Sequence, residues 1–303
     1  MVLLAVVVVL VVYFNSQLNK VKKVQLPKVD SELNISDNAA KEDNDIINIA
    51  LFGLDRRAKD ETSRSDALLV LTLDKLHKEV KVSSIMRDSY VDVSGYGNTK
   101  ITHAYAYGGP TLAIKTLNEN FDLNIRDYAS VDFFGLEKII DSVGGIEINI
   151  TSEELKYINF YIDETSTLEN EKAPLITSTG VQNLNGRQAV AYSRIRYTAG
   201  GDYERTERQR TVLAELFKKI KAAGAANVPK EVLELLPYTE TSLSNADIVK
   251  YGTSIFSMGI NNIEQQRFPE DGFCEGKTIN GVWYLVFDLE ATKKQMHNFI
   301  FDK

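Results

Sequence analysis

YSRIRYTAGGDYERTERQR, residues 192–210, holds five of the chain's 12 arginines within 19 residues. Arg194 and Arg196 stand two apart, a spacing that puts both side chains on one face of an extended arm. Gly200 and Gly201 then predict a turn, and Asp202 opens a helix on which Arg205 and Gln209 share a face at i and i+4. Arm, turn and helix start together aim four guanidinium or amide forks at one point. The planar guanidinium suits bidentate binding of phosphate, and a helix N-terminus adds partial positive charge. The same residues also suit a solvated, ion-paired helix start, with Glu204 and Glu207 close by. The helix continues to about residue 221, with Val212, Leu213, Leu216, Phe217 and Ile220 on its apolar face.

Upstream and downstream of this helix, apolar runs alternate between the two periods. Residues 46–54 (IINIALFGL), 67–73 and 80–85 read as strands, the last two joined tightly enough for a hairpin. Residues 111–121, entered at Pro110, and 133–143 have helical spacing. Ile146–Ile150 alternates as a half-buried strand, and 186–192 is short and helix-like. Residues 228–236 and 245–256 look helical, and 263–268 and 282–287 look like strands. Strands interleaved with helices imply an α/β fold, a three-layer αβα sandwich with a mixed central sheet. Residues 153–179 are polar and irregular, and read as an excursion or lid.

Composition narrows the function. With 44% apolar and 25% charged residues the chain is ordinary globular material, and its net charge of −7 argues against general nucleic-acid binding. One cysteine, Cys274, leaves no intramolecular disulfide framework and no multi-cysteine metal site. His77, His103 and His297 are scattered and form no HExxH motif. Residues 1–14, MVLLAVVVVLVVYF, are uncharged but shorter than the roughly 20 residues of a membrane helix. They read as a truncated N-terminal membrane anchor, followed by a polar linker over 15–45 and a single domain over 46–303.

Charged residues cluster where strands end, the place where ligands bind in open α/β sheets. Asp55 follows the first strand, Arg64 and Asp66 precede the second, and Arg87 and Asp88 follow the third. Asp55 and Asp66, brought together across their loop, make a two-carboxylate magnesium site to which phosphate oxygens add ligands. Alternatively they pair with Arg57 and Arg64 as surface ions do. Tyr105 and Tyr107 are placed to stack on a sugar or to pack in the core. Phe121, Phe133, Phe134, Leu213 and Phe217 line an apolar groove or are plain core.

The ordered motifs FGLD, SRSDALLV, SSIMRDSYV, KITHAYAYGGP, DSVGGIEINI, LNGRQAVAYSRIRY and GDYERTERQR resemble the LytR-CpsA-Psr family. The resemblance implies an αβα sandwich outside the cytoplasmic membrane, held by an N-terminal anchor. It implies a phosphotransferase that moves a glycopolymer, of teichoic acid or capsule type, from a polyprenyl-pyrophosphate carrier onto peptidoglycan. By motif, Asp55 and Asp66 correspond to the aspartates associated with Mg2+. Arg64, Arg87, Arg194, Arg196 and Arg205 correspond to the arginines around the pyrophosphate, Lys100 to the family lysine, and Asp202 and Gln209 to residues completing the pocket. Asp66 and Asp88 are both candidates to take the acceptor proton. The family's proline before the Arg-Asp pair is Met86 here, which predicts a changed loop with the activity kept. A pyrophosphohydrolase acting on the same lipid, and a non-catalytic lipid-binding or regulatory module, are the competing readings.

Overall fold

The computed structural model describes residues 21–42, 45–56, 63–222, 236–260 and 263–301. Its strands are β1 (Lys22–Lys23), β2 (Ile46–Leu54), β3 (Ser65–Asp74), β4 (Glu79–Ile85), β5 (Tyr90–Val93), β6 (Gly97–Lys100), β7 (Asp127–Asp132), β8 (Ile146–Ile150), β9 (Gly180–Leu184), β10 (Glu240–Thr241), β11 (Glu264–Phe268), β12 (Cys274–Ile279) and β13 (Val282–Phe287). The helices are α1 (Thr102–Phe121), α2 (Phe133–Ser142), α3 (Ser152–Glu169), α4 (Gly186–Arg194), α5 (Gly201–Ala222), α6 (Asn245–Ser257) and α7 (Leu289–Phe301). The expected helix over 228–236 lies almost wholly outside the described residues, as does the apolar stretch 1–14. Among the described residues no helix is long and apolar enough to cross a membrane.

The main sheet runs β1-β10-β7-β2-β3-β4-β11. β2 and β4 flank β3 antiparallel, while β2 pairs parallel with β7 and β4 with β11, so the sheet is mixed as expected. One face packs Phe52, Leu68, Val70 and Ile85 against Ile114, Leu117 and Phe121 of α1 and Met296 and Ile300 of α7. Beyond the other face lie α2 to α5, which share a second core around Ile140, Ile158, Ile162, Ala189 and Val212 with the β8–β9 hairpin. α1 starts nine residues before its expected start and bends at Gly108–Gly109, where Gly109 takes φ 63° just ahead of Pro110. That left-handed conformation is open to glycine at little cost.

Two expectations fail. Residues 152–169 form a full helix, not an irregular lid. Its Thr151/Glu154 capping box closes the N-terminus, and Ile158, Tyr161, Ile162 and Thr165 make a narrow buried stripe on an otherwise polar surface. The supposed linker over 15–45 is also wrong from Val21 to Glu42. There β1 extends the sheet alongside β10, and Leu26, Leu33, Ile35 and Ala39 join the core beside α1. Asn118 Nδ2 donates to the Leu33 carbonyl at 2.9 Å, and Arg126 grips Asp30 with two bonds of 2.8 and 2.7 Å. Irregular spacing of the four apolar anchors hides them from a periodicity reading. Leu33→Ala, at a side chain only 1% exposed, is expected to lower stability by about 2–3 kcal/mol in denaturant titration. A true linker would show no change.

Candidate active site

Asp66 owes its position to an irregularity. β2 and β3 pair Gly53 with Ala67 and then Leu54 with Ser65, so Asp66 is the extra residue of a β-bulge. Bulges re-aim side chains. Regular alternation would turn Asp66 toward α1 with Leu68, yet Asp66, Ala67 and Leu69 all line one cavity on the opposite face. Gly53 permits the close approach, because a Cβ there would meet the Ala67 Cβ at 3.0 Å. Across the loop mouth, the Asp55 amide donates to the Arg64 carbonyl at 3.2 Å.

Arg87 and Asp88 occupy the turn after β4, which is pinned on three sides. Met86 N donates to Phe268 O at 2.9 Å, Thr102 N to Arg87 O at 3.2 Å, and Leu285 N to Asp88 O at 2.9 Å. The first bond needs an amide hydrogen that proline lacks, so Met86 holds its turn by a bond that the family proline could not make. Its buried sulfur lies 3.6 Å from the Thr206 hydroxyl on α5.

Around this turn the charges interlock. Arg87 Nη1 donates to Asp66 at 2.6 Å, and its Nε lies 3.5 Å from Asp88 and 3.7 Å from Asp202. Arg196 reaches Asp66 at 3.4 Å and Asp202 at 3.7 Å. Arg205 meets Asp202 at 2.9 Å and Asp66 at 3.7 Å. Lys100 Nζ lies 2.7 Å from Asp88. Four cations thus face three carboxylates, Asp66, Asp88 and Asp202. Burial opposes the charge on Arg87, but Asp66, Asp88 and Asp202 outweigh it and hold the guanidinium above its ordinary range. Arg205 is less well compensated. Burial pushes it down to about 10, with Arg196 and Arg87 adding to the push and Asp202 and Asp66 opposing it. Its buried Nε has no hydrogen-bond partner, a donor that an incoming anion would satisfy.

The expected arm carrying Arg194 and Arg196 on one face does not exist. An Asn185/Gln188 capping box starts α4, which runs through Arg194. The two arginines therefore diverge. Arg194 donates to Glu164 at 2.7 Å and Thr165 at 3.0 Å, and its guanidinium lies over Phe133 and Tyr161 at 4.7 and 5.3 Å. Arg64 is exposed and does not line the cavity that Asp66 lines. Arg208, passed over in the sequence, is structural. It bonds Glu154 of α3, Glu204, the Ile195 carbonyl and Thr198 at 2.8–3.2 Å. Glu164 and Thr165 were missed because they sit in the segment read as a lid.

Through Asp66, Arg196 and Arg205 the charged cluster opens onto a cavity of about 470 Å³, whose lining does not include Arg87, Asp88, Lys100 or Asp202. Asp55, Asp66, Arg194, Arg196, Arg205 and Gln209 all line it, and its remaining walls are largely apolar, from Leu51, Leu69 and Val131 of the sheet to Leu136, Phe160, Val212 and Leu213 of the helices. Of the five residues expected at the groove, Phe133 and Leu213 line it and Phe134 does not, while Phe121 is core on the opposite face and Phe217 packs near α6. Among the described residues no three His, Cys, Asp or Glu side chains form a metal cage. Asp55 and Asp66 on one cavity wall nevertheless fit magnesium, which takes one or two carboxylates and completes its shell with phosphate oxygens and water.

Known proteins share this chain's sequence and fold. Residues 8–299 match the LytR_cpsA_psr family. Regulatory protein MsrR of Staphylococcus aureus is 32% identical over 237 residues, 77% of this chain and 68% of that protein. The polyisoprenyl-teichoic acid–peptidoglycan teichoic acid transferase TagU of Enterococcus faecalis is 31% identical over 253 residues, 82% of this chain and 77% of that protein. TagT bound to LI-WTA superposes with a TM-score of 0.70 at 26% identity, covering 92% of this chain and 99% of TagT. A second TagT structure, with bound octaprenyl pyrophosphate lipid, gives 0.67 at 25% identity, covering 92% of this chain and 99% of that one.

Proposed function

The chain belongs to the LytR-CpsA-Psr family, and from that premise we propose that it transfers a glycopolymer of teichoic acid type from a polyprenyl-pyrophosphate carrier onto peptidoglycan. The observation that carries this is the junction of an arginine cluster with an apolar cavity. A pyrophosphate head needs the first and a polyprenyl tail the second, and TagT holds an octaprenyl pyrophosphate lipid. Because peptidoglycan lies outside the cytoplasmic membrane, the domain works on that side in this reading, with the uncharged residues 1–14 as part of a truncated membrane anchor.

In this reading the acceptor hydroxyl attacks the phosphorus that bears the glycan. A phosphodiester P–O bond forms, the P–O bond to the carrier breaks, and polyprenyl phosphate leaves. The hydroxyl proton passes to a carboxylate of the cluster, Asp66 or Asp88. Arg87, Arg196 and Arg205 stabilise the charge that builds on the phosphoryl oxygens and on the leaving phosphate. Asp202 holds Arg205 and Arg196 in line. Asp55 and Asp66 would hold magnesium, which supplies further neutralisation of the pyrophosphate.

Incubating the full chain with magnesium, a polyprenyl-pyrophosphate oligosaccharide and uncrosslinked peptidoglycan tests this. Mass spectrometry is expected to find glycan joined to peptidoglycan by a phosphodiester. Chelation is expected to slow the reaction roughly a hundredfold, with recovery on adding magnesium back. Free glycan phosphate as the sole product would make the protein a hydrolase instead. Lipid bound but unchanged, even with crude native carriers, would make it a binding module.

A further inference from the structure

α5 carries a second arginine face beside the one that lines the cavity. Tyr203, Thr206 and Arg210 stand at i, i+3 and i+7 and so share that face. The Thr206 hydroxyl lies 3.6 Å from the Met86 sulfur after β4. The Tyr203 ring lies 4.4 Å from the guanidinium of Arg267 on β11, and its hydroxyl stands 3.7 Å from Cys274 Sγ on β12. In register, Arg267 pairs with Ser84 and Ser84 with Leu69, which lines the cavity. All three therefore share the sheet face toward α5. Among the described residues, three buried polar atoms here have no hydrogen-bond partner: Arg210 Nη1, Arg267 Nη1 and the Oγ of Ser84, a residue 0% exposed. Arg267 gives Nη2 to Asp271, whose side chain is 92% exposed. Burial holds the Arg210 guanidinium below its ordinary range, with Glu207 opposing and Arg267 adding to the push. Neither arginine lines the cavity.

We infer that Arg210, Arg267 and Ser84 form a second oxyanion site, which takes a phosphate diester of the donor polymer, an inference that rests on the transferase reading above. Two guanidiniums held together with buried donors unmet are costly, and an anion between them would satisfy both. Phosphate suits the site better than a carboxylate does. Its tetrahedral oxygens accept from two planar forks and a hydroxyl at once, whereas a carboxylate offers two oxygens in one plane. The site also lies where a second phosphate of the same donor would pass. Asp202, which contacts Arg87, Arg196 and Arg205, is the neighbour in sequence of Tyr203, which carries Arg267. Phe268, next to Arg267, accepts from the amide of Met86, next to Arg87. The two sites thus share a wall made of the first turn of α5 and the turn after β4. A polymer with a phosphate in each repeat is gripped at both, and a neutral glycan at the pyrophosphate alone. The pair therefore selects for phosphate-bearing cargo.

Calorimetric titration of the full 303-residue chain with a lipid-free glycerol phosphate tetramer, and separately with inorganic phosphate, tests the site without turnover. The tetramer is expected to bind, and still to bind when Arg196→Ala has weakened the first cluster. Arg210→Gln, and Arg267→Lys as a variant that keeps the charge, are each expected to weaken it roughly tenfold, with melting curves close to the parent. In the transfer assay Arg210→Gln is expected to raise the KM of a donor with phosphate diester repeats by a similar factor. The KM of a donor with a phosphate-free oligosaccharide should not move, whereas a merely structural role would shift both. No tetramer binding, identical titrations in both variants, or binding abolished by Arg196→Ala alone would overturn the proposal. Inorganic phosphate bound as tightly as the tetramer, with both donor KM values unmoved, would assign the site to a free anion and overturn its role toward the polymer. Its failure is separable from that of the transferase reading. Tetramer binding that is weakened by Arg210→Gln, in a chain that turns over no donor, refutes the transferase and keeps the site. Normal transfer with an unchanged KM for the phosphate-bearing donor in Arg210→Gln does the reverse.

Discussion

Arg196→Ala is expected to slow transfer about 10²–10³-fold, the usual loss when one donor to a developing oxyanion is removed. The melting temperature is expected to stay within roughly 2 °C of the parent, because half-exposed ion pairs contribute at most about 1 kcal/mol. Arg196 is the cluster arginine for which these two effects separate. Its side chain is 39% exposed and its carboxylate contacts are long, at 3.4 and 3.7 Å. Little of its charge is consumed by the resting protein, and much remains for a ligand. Arg205 is a poorer probe, since at 3% exposed its removal would strand Asp202 and Asp66 and harm folding as well as chemistry. Arg196→Lys keeps the charge but loses the planar fork, so its rate is expected between those of the alanine variant and the parent. Initial rates with each substrate varied, together with a melting curve, decide the matter. A full rate in the alanine variant would take Arg196 out of the mechanism.

The largest stability effect is expected at Arg208, three residues beyond Arg205 on α5. Arg208→Ala should cost about 3–5 kcal/mol, the penalty for leaving a buried partner charge uncompensated. That corresponds to a fall of roughly 10 °C in melting temperature. Arg208 and its partner Glu154 are 7% and 8% exposed, and the guanidinium also bonds the Ile195 carbonyl, beside Arg196. It thereby joins α3, the end of α4 and the start of α5. Arg208→Met combined with Glu154→Gln is expected to recover part of the loss, because the stranded carboxylate is gone. A melting temperature unchanged by Arg208→Ala would show that the knot contributes nothing. Together the two arginines divide one motif into a part for chemistry and a part for folding.

Much of this was legible beforehand, and the exceptions share a cause. The strands around Asp55, Asp66 and Arg87, the long α5 and the meeting of Arg196 with Arg205 follow from local pattern and spacing. What escaped depends on partners distant in sequence. Arg194 could not be separated from Arg196 without α3, because Glu164 and Thr165 draw it away. That helix was hidden by its polar composition, since its buried stripe is narrow and includes Glu154 and Thr165. The segment from Val21 to Glu42 carries its anchors at no fixed period. β7, an interior strand of the sheet, went unread although Tyr128 and Ser130 alternate with Ala129 and Val131 along it. Arg208 looked like one more charge on a solvated helix until Glu154 was placed opposite it.

The bulge at Asp66 also bears on how freely this site can drift. The carboxylate reaches the cavity through a one-residue change of phase inside the β2–β3 ladder, not through the length of the connection that precedes it. Insertions or deletions between Arg56 and Ser63 leave that phase untouched and are expected not to misdirect Asp66. Removing the one residue between Ser65 and Ala67, which is Asp66 itself, would restore an unbroken ladder and leave Asp55 as the only member of the carboxylate pair in the cavity wall. In this chain, a stretch whose length is free and a position whose count is fixed then lie only a few residues apart.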